Sequence, residues 1–268
     1  MARDILSIPP PPAGVRLRYG AGQFQFGDLR LPSSSGPYPV VVSVHGGFWR
    51  ERFDLEYMGH ACAALTDLGV ATWNIEYRRI GNPGGGWPGT FHDVAAAADY
   101  LRDIAPKYNL DLRRLAAIGH SAGGHLAMWL AARSRLSPDS PLYSPAPIAA
   151  AAISLAGVVD LRAAWEMALS GGVVREFMGG TPDEVPDRYS AASPIELLPL
   201  DVRQVLVHGT RDESVPYEIS KRYYDAAIAK GDDATLVTLP GAEHFAPVNP
   251  DSPEWQVVAD AVCGVLAL

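Results

Sequence analysis

The sequence predicts an α/β fold, a doubly wound and mostly parallel sheet with helices on both faces. Three observations lead there. Short apolar runs rich in β-branched residues alternate with stretches of three-to-four apolar spacing along nearly the whole chain. The first interior run, VVVSVH at 40–45, is almost continuously apolar, as a strand buried on both faces must be. The chain has 268 residues, 48% of them hydrophobic, which is enough for one large core. Residues 1–268 are therefore expected to form a single domain, with a cap insertion at about 160–200.

In chain order, the prolines at 9–12 read as an extended lead-in. Residues 15–31 (VRLRYGAGQFQFGDLRL) predict two short strands, and a proline-bounded turn then leads into the strand at 40–45. Helix is expected at 58–68, strand at 70–77, helix at 93–104, strand at 114–118 and helix at 121–132. The stretch 149–155 fits a buried strand or a helix segment equally well. Strand at 205–208, helix at 219–229, strand at 234–239 and a closing helix at 255–266 complete the alternation. Residues 160–200 interrupt it. They mix Trp165, Met167, Phe177 and Met178 with Gly171-Gly172, Gly179-Gly180 and further turn signals. A small helical cap is the preferred reading, and a long surface connection the alternative.

Composition excludes several classes of function. A formal net charge of −8 argues against nucleic acid as a partner, because phosphate neutralisation needs clustered cations. Arg78-Arg79 and Arg113-Arg114 are isolated basic pairs. Cys62 and Cys263 are too few and too far apart for a disulfide framework or a metal cluster, so reduced thiols are expected. The opening MARDILSIPPPPAG lacks the apolar run of a signal peptide, and the apolar stretch 148–159 is too short to span a bilayer. A soluble cytoplasmic protein that binds neither membrane nor nucleic acid is the expectation, as monomer or homodimer.

In such sheets ligands bind beyond the carboxyl ends of the strands, so the residues standing there are informative. The strand at 114–118 runs into Gly119-His120-Ser121-Ala122-Gly123 and then directly into a helix. That setting suits a strained turn exposing a nucleophilic serine, with glycines removing colliding side chains. A serine hydroxyl needs a base to take its proton, and histidine, with an unperturbed pKa of about 6.5, suits that role. His244 stands in a glycine-rich loop after the last strand, whereas His45, His120 and His208 sit at strand ends and His60, His92 and His125 in helical patterns. For the carboxylate that orients the base, Asp212 in HGTRDESVP is preferred over Glu213 and Glu243. Gly46-Gly47-Phe48, together with the Ala122 N–H, is suited to bind a developing oxyanion. Gly84-Gly85-Gly86-Trp87-Pro88-Gly89 has neither the lysine of a P-loop nor the spacing of a dinucleotide fingerprint.

The motifs VHGGFWR, NIEYRR, GHSAGGHLA, HGTRDESVP and GAEHF, in this order, resemble the α/β-hydrolase superfamily. Within it they are most similar to the HGGxW esterases related to hormone-sensitive-lipase-like enzymes and to kynurenine formamidases. The resemblance covers the chain from about residue 15 onward. It implies Ser121 as nucleophile, Asp212 as acid, His244 as base, and an oxyanion hole of Gly47, Phe48 and Ala122, with Gly46 as an alternative donor. HGGF in place of the lipase-like HGGG sets a bulky Phe48 beside the hole and disfavours large acyl groups.

The expected function is therefore that of a serine hydrolase of carboxylesterase type, cleaving small esters through an acyl-enzyme with no metal or organic cofactor. The alternatives are an arylformamidase acting on N-formylkynurenine and a non-catalytic ligand-binding protein on the same fold. Trp49, Trp87, Phe91, Trp165 and Phe177 are the candidate substrate-binding residues, with a place in the core as the competing role.

Overall fold

A computed structural model describes residues 4–146 and 148–268. Among these, eight strands form one sheet in the order β1-β2-β4-β3-β5-β6-β7-β8. The strands are β1 (Val15–Arg18), β2 (Phe26–Arg30), β3 (Tyr38–Val44), β4 (Ala71–Ile75), β5 (Leu110–His120), β6 (Ala151–Leu155), β7 (Arg203–Gly209) and β8 (Ala234–Leu239). β1 and β2 form an antiparallel hairpin, and β2 joins β4 antiparallel. From β4 through β8 the neighbours are parallel, so their carboxyl ends share one rim.

Alternation of side chains sorts each strand onto two faces. Val40, Val42 and Val44 of β3 face one core, shared with α2 (Gly89–Asp99), α3 (Leu101–Tyr108), α4 (Ala122–Ala131) and α8 (Tyr217–Ala229). Val41 faces the other, with Ile118, Ile153 and Val207, under α1 (Met58–Asp67) and α9 (Trp255–Leu266). Six consecutive residues of β3, Pro39–Val44, are buried, which is why its sequence shows no polar alternation.

The ambiguous stretch 149–155 is strand: all five residues of β6 are buried between β5 and β7. Its small side chains suit a strand overlain by α4; a Cβ on Gly124 would come within 2.7 Å of the Gly157 backbone. The helix expected at 93–104 is two helices meeting at Tyr100. The backbone there keeps helical angles, φ −59° and ψ −22°, so the apolar spacing runs on through the bend.

Between β6 and β7 lie α5 (Leu161–Glu166), α6 (Leu169–Met178) and α7 (Pro186–Ala192). Ser170, Gly171 and Gly172 have left-handed angles, so regular helix in α6 starts at Val173. Asp160 caps α5 by accepting the Ala163 N–H at 2.9 Å. This segment is fastened downward: the Trp129 indole donates to the Ala191 carbonyl at 3.0 Å, and the Trp87 N–H to the Phe177 carbonyl at 2.9 Å. The loop carrying Trp87 is in turn anchored by Arg78, whose fork grips the buried Asp93 carboxylate through two bonds of 2.7 Å. Both cysteines are free thiols, and no helix among the described residues is long and apolar enough to cross a membrane.

Candidate active site

The turn from β5 into α4 forces its central residue out of ordinary conformations. Ser121 has φ 57° and ψ −122°, costly for any residue with a side chain. Its backbone is fixed on both sides. The N–H donates to the Leu155 carbonyl at 2.8 Å, and the carbonyl accepts from His125 at 3.2 Å and Val158 at 3.3 Å. The flanking glycines leave no choice of residue. A Cβ on Gly119 would lie 2.0 Å from the Gly123 carbonyl oxygen, and one on Gly123 2.1 Å from that of Val44. Helix α4 thus begins hard against the end of β3, aiming the serine at the rim.

Asp212 follows β7 and His244 follows β8, and the two side chains meet: His244 Nδ1 lies 2.6 Å from Asp212 Oδ2. The Asp212 side chain is fully buried. Its Oδ1 accepts the Ser214 and Val215 N–H groups, each at 2.8 Å. Its Oδ2 faces a second imidazole, His208 Nε2, at 3.2 Å. Burial pushes this carboxyl up, but hydrogen bonds from His208, His244 and the Val215 N–H outweigh it and hold the group well below the usual carboxylate range. His208 is oriented by the Val215 carbonyl on Nε2 and the Ser220 hydroxyl on Nδ1. Because both neighbours of Nε2 are acceptors, that nitrogen carries the proton.

His244 is tied to His120, the residue before Ser121. The two rings lie 4.5 Å apart between centroids, and His120 Nε2 is 3.0 Å from the His244 carbonyl oxygen. Among the described residues the Ser121 hydroxyl makes no hydrogen bond to the His244 ring; such contacts often tighten only around substrate.

The loop after β3 supplies N–H groups. Gly46 donates its own to the Tyr57 hydroxyl at 2.5 Å, so it is engaged elsewhere. The N–H groups of Gly47, Phe48 and Ala122 have no carbonyl partner among the described residues. The loop is strained, with φ of 106°, 53° and 56° at Gly47, Phe48 and Trp49. It is held by His45, whose Nε2 lies 3.1 Å from buried Glu76 and whose carbonyl accepts the Tyr77 hydroxyl at 2.7 Å.

The five aromatic candidates divide. Trp49, Phe91 and Phe177 have essentially no exposed surface. They are packed with His125 and Trp129: Trp49 stacks on Phe177 at 4.4 Å, and Phe91 meets Trp129 at 4.8 Å. The Trp49 indole donates to His125 Nδ1 at 3.3 Å, and burial pushes that imidazole down to about 4. In this structure these three are core, since every apolar face is already covered. Trp87 and Trp165 keep part of their surface open, as does Phe48. Tyr57 was not singled out by the sequence, and His120 only as a strand-end residue. Their partners lie 63 and 124 positions away along the chain, so no local pattern marks them.

Among the described residues no group of three His, Cys, Asp or Glu side chains is placed to hold a metal ion.

A family model described as BD-FAE matches residues 28–226. Esterase LipC of Mycobacterium tuberculosis is 29% identical over 246 residues, which cover 85% of this chain and 59% of that protein. Kynurenine formamidase of Salmo salar is 26% identical over 269 residues, covering 91% of this chain and 76% of that one. Several further relatives are spanned only about half their length, among them a probable carboxylic ester hydrolase of M. tuberculosis, of which 45% is covered. Among solved structures, esterase B from Lactobacillus rhamnosis superposes with a TM-score of 0.83 at 20% identity, over 98% of this chain and 89% of that one. A truncated carbohydrate esterase from gut microbiota gives 0.79 at 23% identity, over 97% and 100%. These likenesses establish the α/β-hydrolase fold.

Proposed function

The chain belongs to the BD-FAE family within the α/β-hydrolases, and from that premise we propose that it is a serine carboxylesterase acting on small esters. The observation that carries the proposal is the Asp212–His244 pair at 2.6 Å, with the His244 ring packed on His120, which directly precedes the strained Ser121. In this reading Ser121 Oγ attacks the ester carbonyl while His244 Nε2 takes its proton. Asp212 holds the other ring nitrogen and stabilises the imidazolium that forms. The oxyanion is received by the N–H groups of Gly47, Phe48 and Ala122, the last at the positive end of α4. Collapse breaks the bond to the alkoxy oxygen, and His244 returns the proton to the departing alcohol. Water, deprotonated by the same imidazole, then attacks the acyl-enzyme and releases the acid and free Ser121. No step requires a cofactor.

The bulk of Phe48 beside the hole, and the sealed aromatic cluster behind it, favour short acyl groups over long ones. Residues 160–200 are read as a cap on a single hydrolase domain, because α5–α7 fasten onto α4 and the Trp87 loop. Hydrolysis of a nitrophenyl acetate by the wild type, lost by at least three orders of magnitude in Ser121→Ala, is the expected result. Full turnover by Ser121→Ala would sink the proposal.

Arylformamidase activity is the second reading, favoured by similarity to a kynurenine formamidase over 91% of the chain. Half-open Trp87 and Trp165 offer faces for an aryl group. Comparing kcat/KM for N-formylkynurenine and for short nitrophenyl esters separates the two. A protein that binds an unreacted ligand and resists a fluorophosphonate probe would instead be non-catalytic.

A further inference from the structure

We propose that Tyr57 and His120 are positioning residues, a buried hydrogen-bond relay that sets the oxyanion loop and the catalytic base in register with each other. The proposal rests on the serine-hydrolase reading and adds to it two side chains that never touch substrate.

The atoms leave one consistent assignment. His120 Nε2 lies 3.0 Å from the His244 carbonyl oxygen, which only accepts, so Nε2 carries the proton. His120 Nδ1 then holds a lone pair, and the Tyr57 hydroxyl 2.9 Å away donates to it. The Tyr57 oxygen, its proton committed, accepts the Gly46 N–H at 2.5 Å. The chain runs Gly46 N–H to Tyr57 to His120 to His244, ending at each side on the backbone of a different loop of the site. Burial holds the His120 imidazole well below its ordinary range, and with it the neutral form that the relay needs.

Both members are shielded from water: Tyr57 is 6% exposed and His120 1%. The Phe245 ring closes over them, 5.9 Å from Tyr57 and 5.1 Å from His120 between centroids. With water excluded, neither the Gly46 N–H nor the His244 carbonyl has an easy substitute partner. Engaging Gly46 also fixes the peptide just ahead of Gly47 and Phe48, whose N–H groups stay free for the oxyanion. A shift of the base by a fraction of an ångström therefore moves the hole, and the reverse. Catalysis is sensitive to displacements of that size.

The test uses the full chain and a nitrophenyl acetate. Tyr57→Phe keeps the ring and removes only the relay hydroxyl. Its kcat, per active site titrated to completion with a fluorophosphonate, is expected to fall at least tenfold while KM stays within about twofold. His120→Gln, which retains an N–H able to reach the His244 carbonyl, is expected to keep more kcat than His120→Leu. Wild-type kcat in Tyr57→Phe, or a loss seen only in KM, overturns the relay; should His120→Leu fail to fold, Tyr57→Phe alone decides. Ser121→Ala separates the two levels. If it is inactive while Tyr57→Phe is unimpaired, only the relay is wrong; if it is active, the hydrolase reading falls with it.

Discussion

Asp212 receives four donors on two oxygens, two backbone N–H groups and two imidazoles. A carboxylate so satisfied is a strong anchor and a reluctant base, which suits a group that orients His244 without taking its proton. Asp212→Asn keeps the volume but offers the ring an amide in place of a full charge. It is expected to cost about three to four orders of magnitude in kcat, measured on the nitrophenyl ester. The same group links stability to pH. Its folded pKa is depressed, so its contribution is complete above the unfolded value of about 3.9 and fades as pH falls toward the folded one. Urea midpoints of wild type and Asp212→Asn should therefore differ most above about pH 5 and draw progressively closer as pH falls below about 4 toward the folded pKa. A gap unchanged at pH 3 would contradict this account of the carboxylate.

At the scale of elements, the strand–turn–helix around Ser121 tolerates no extra atom where α4 meets β3. Gly123→Ala would press a methyl against the Val44 and His45 carbonyls, at 2.1 and 2.5 Å. A loss on the order of 3 kcal/mol in chemical denaturation is expected, together with lost turnover as Ser121 is displaced. Gly264, inside α9, is the counter-case, since an added Cβ meets nothing within 4 Å. Gly264→Ala should raise stability by about 0.5–1 kcal/mol without changing kcat. The pair also marks what sequence can and cannot disclose about elements. The clustering of Gly119, Ser121 and Gly123 at a change of periodicity was legible, because a strained turn needs those residue types. So were β3, β7 and β8, whose apolar runs lead into Gly47, Asp212 and His244. The identity of 149–155 was not, because alanine fits helix and crowded strand alike and only the approach of α4 decides between them. The bend at Tyr100 was hidden for the opposite reason: the apolar stripe passes through it unbroken.

Across the whole molecule, the loop after β3, helix α2, helix α4 and the insertion meet in one aromatic cluster formed by Trp49, Phe91, His125, Trp129 and Phe177. The sequence put Trp49, Phe91 and Phe177 forward but not whether substrate meets them, since a ring that lines a pocket and one that fills a core have the same chemistry. Their burial separates them, and it makes Phe177 a structural residue whose ring stacks on Trp49 while its carbonyl holds the Trp87 N–H. By contrast Arg50–Glu176, the ion pair joining the same loop to the insertion, is half-exposed at both ends and contributes little. If the cluster is the joint between insertion and sheet, Phe177→Ala should cost about 3–5 kcal/mol, as for other large-to-small changes in a sealed core. Glu176→Gln should stay within about 0.5 kcal/mol of wild type. Thermal unfolding read by tryptophan fluorescence measures both. Were Phe177 a wall of the substrate site instead, its truncation would leave the melting temperature nearly unchanged and alter KM with acyl or aryl size, so the two roles give opposite results in one pair of assays.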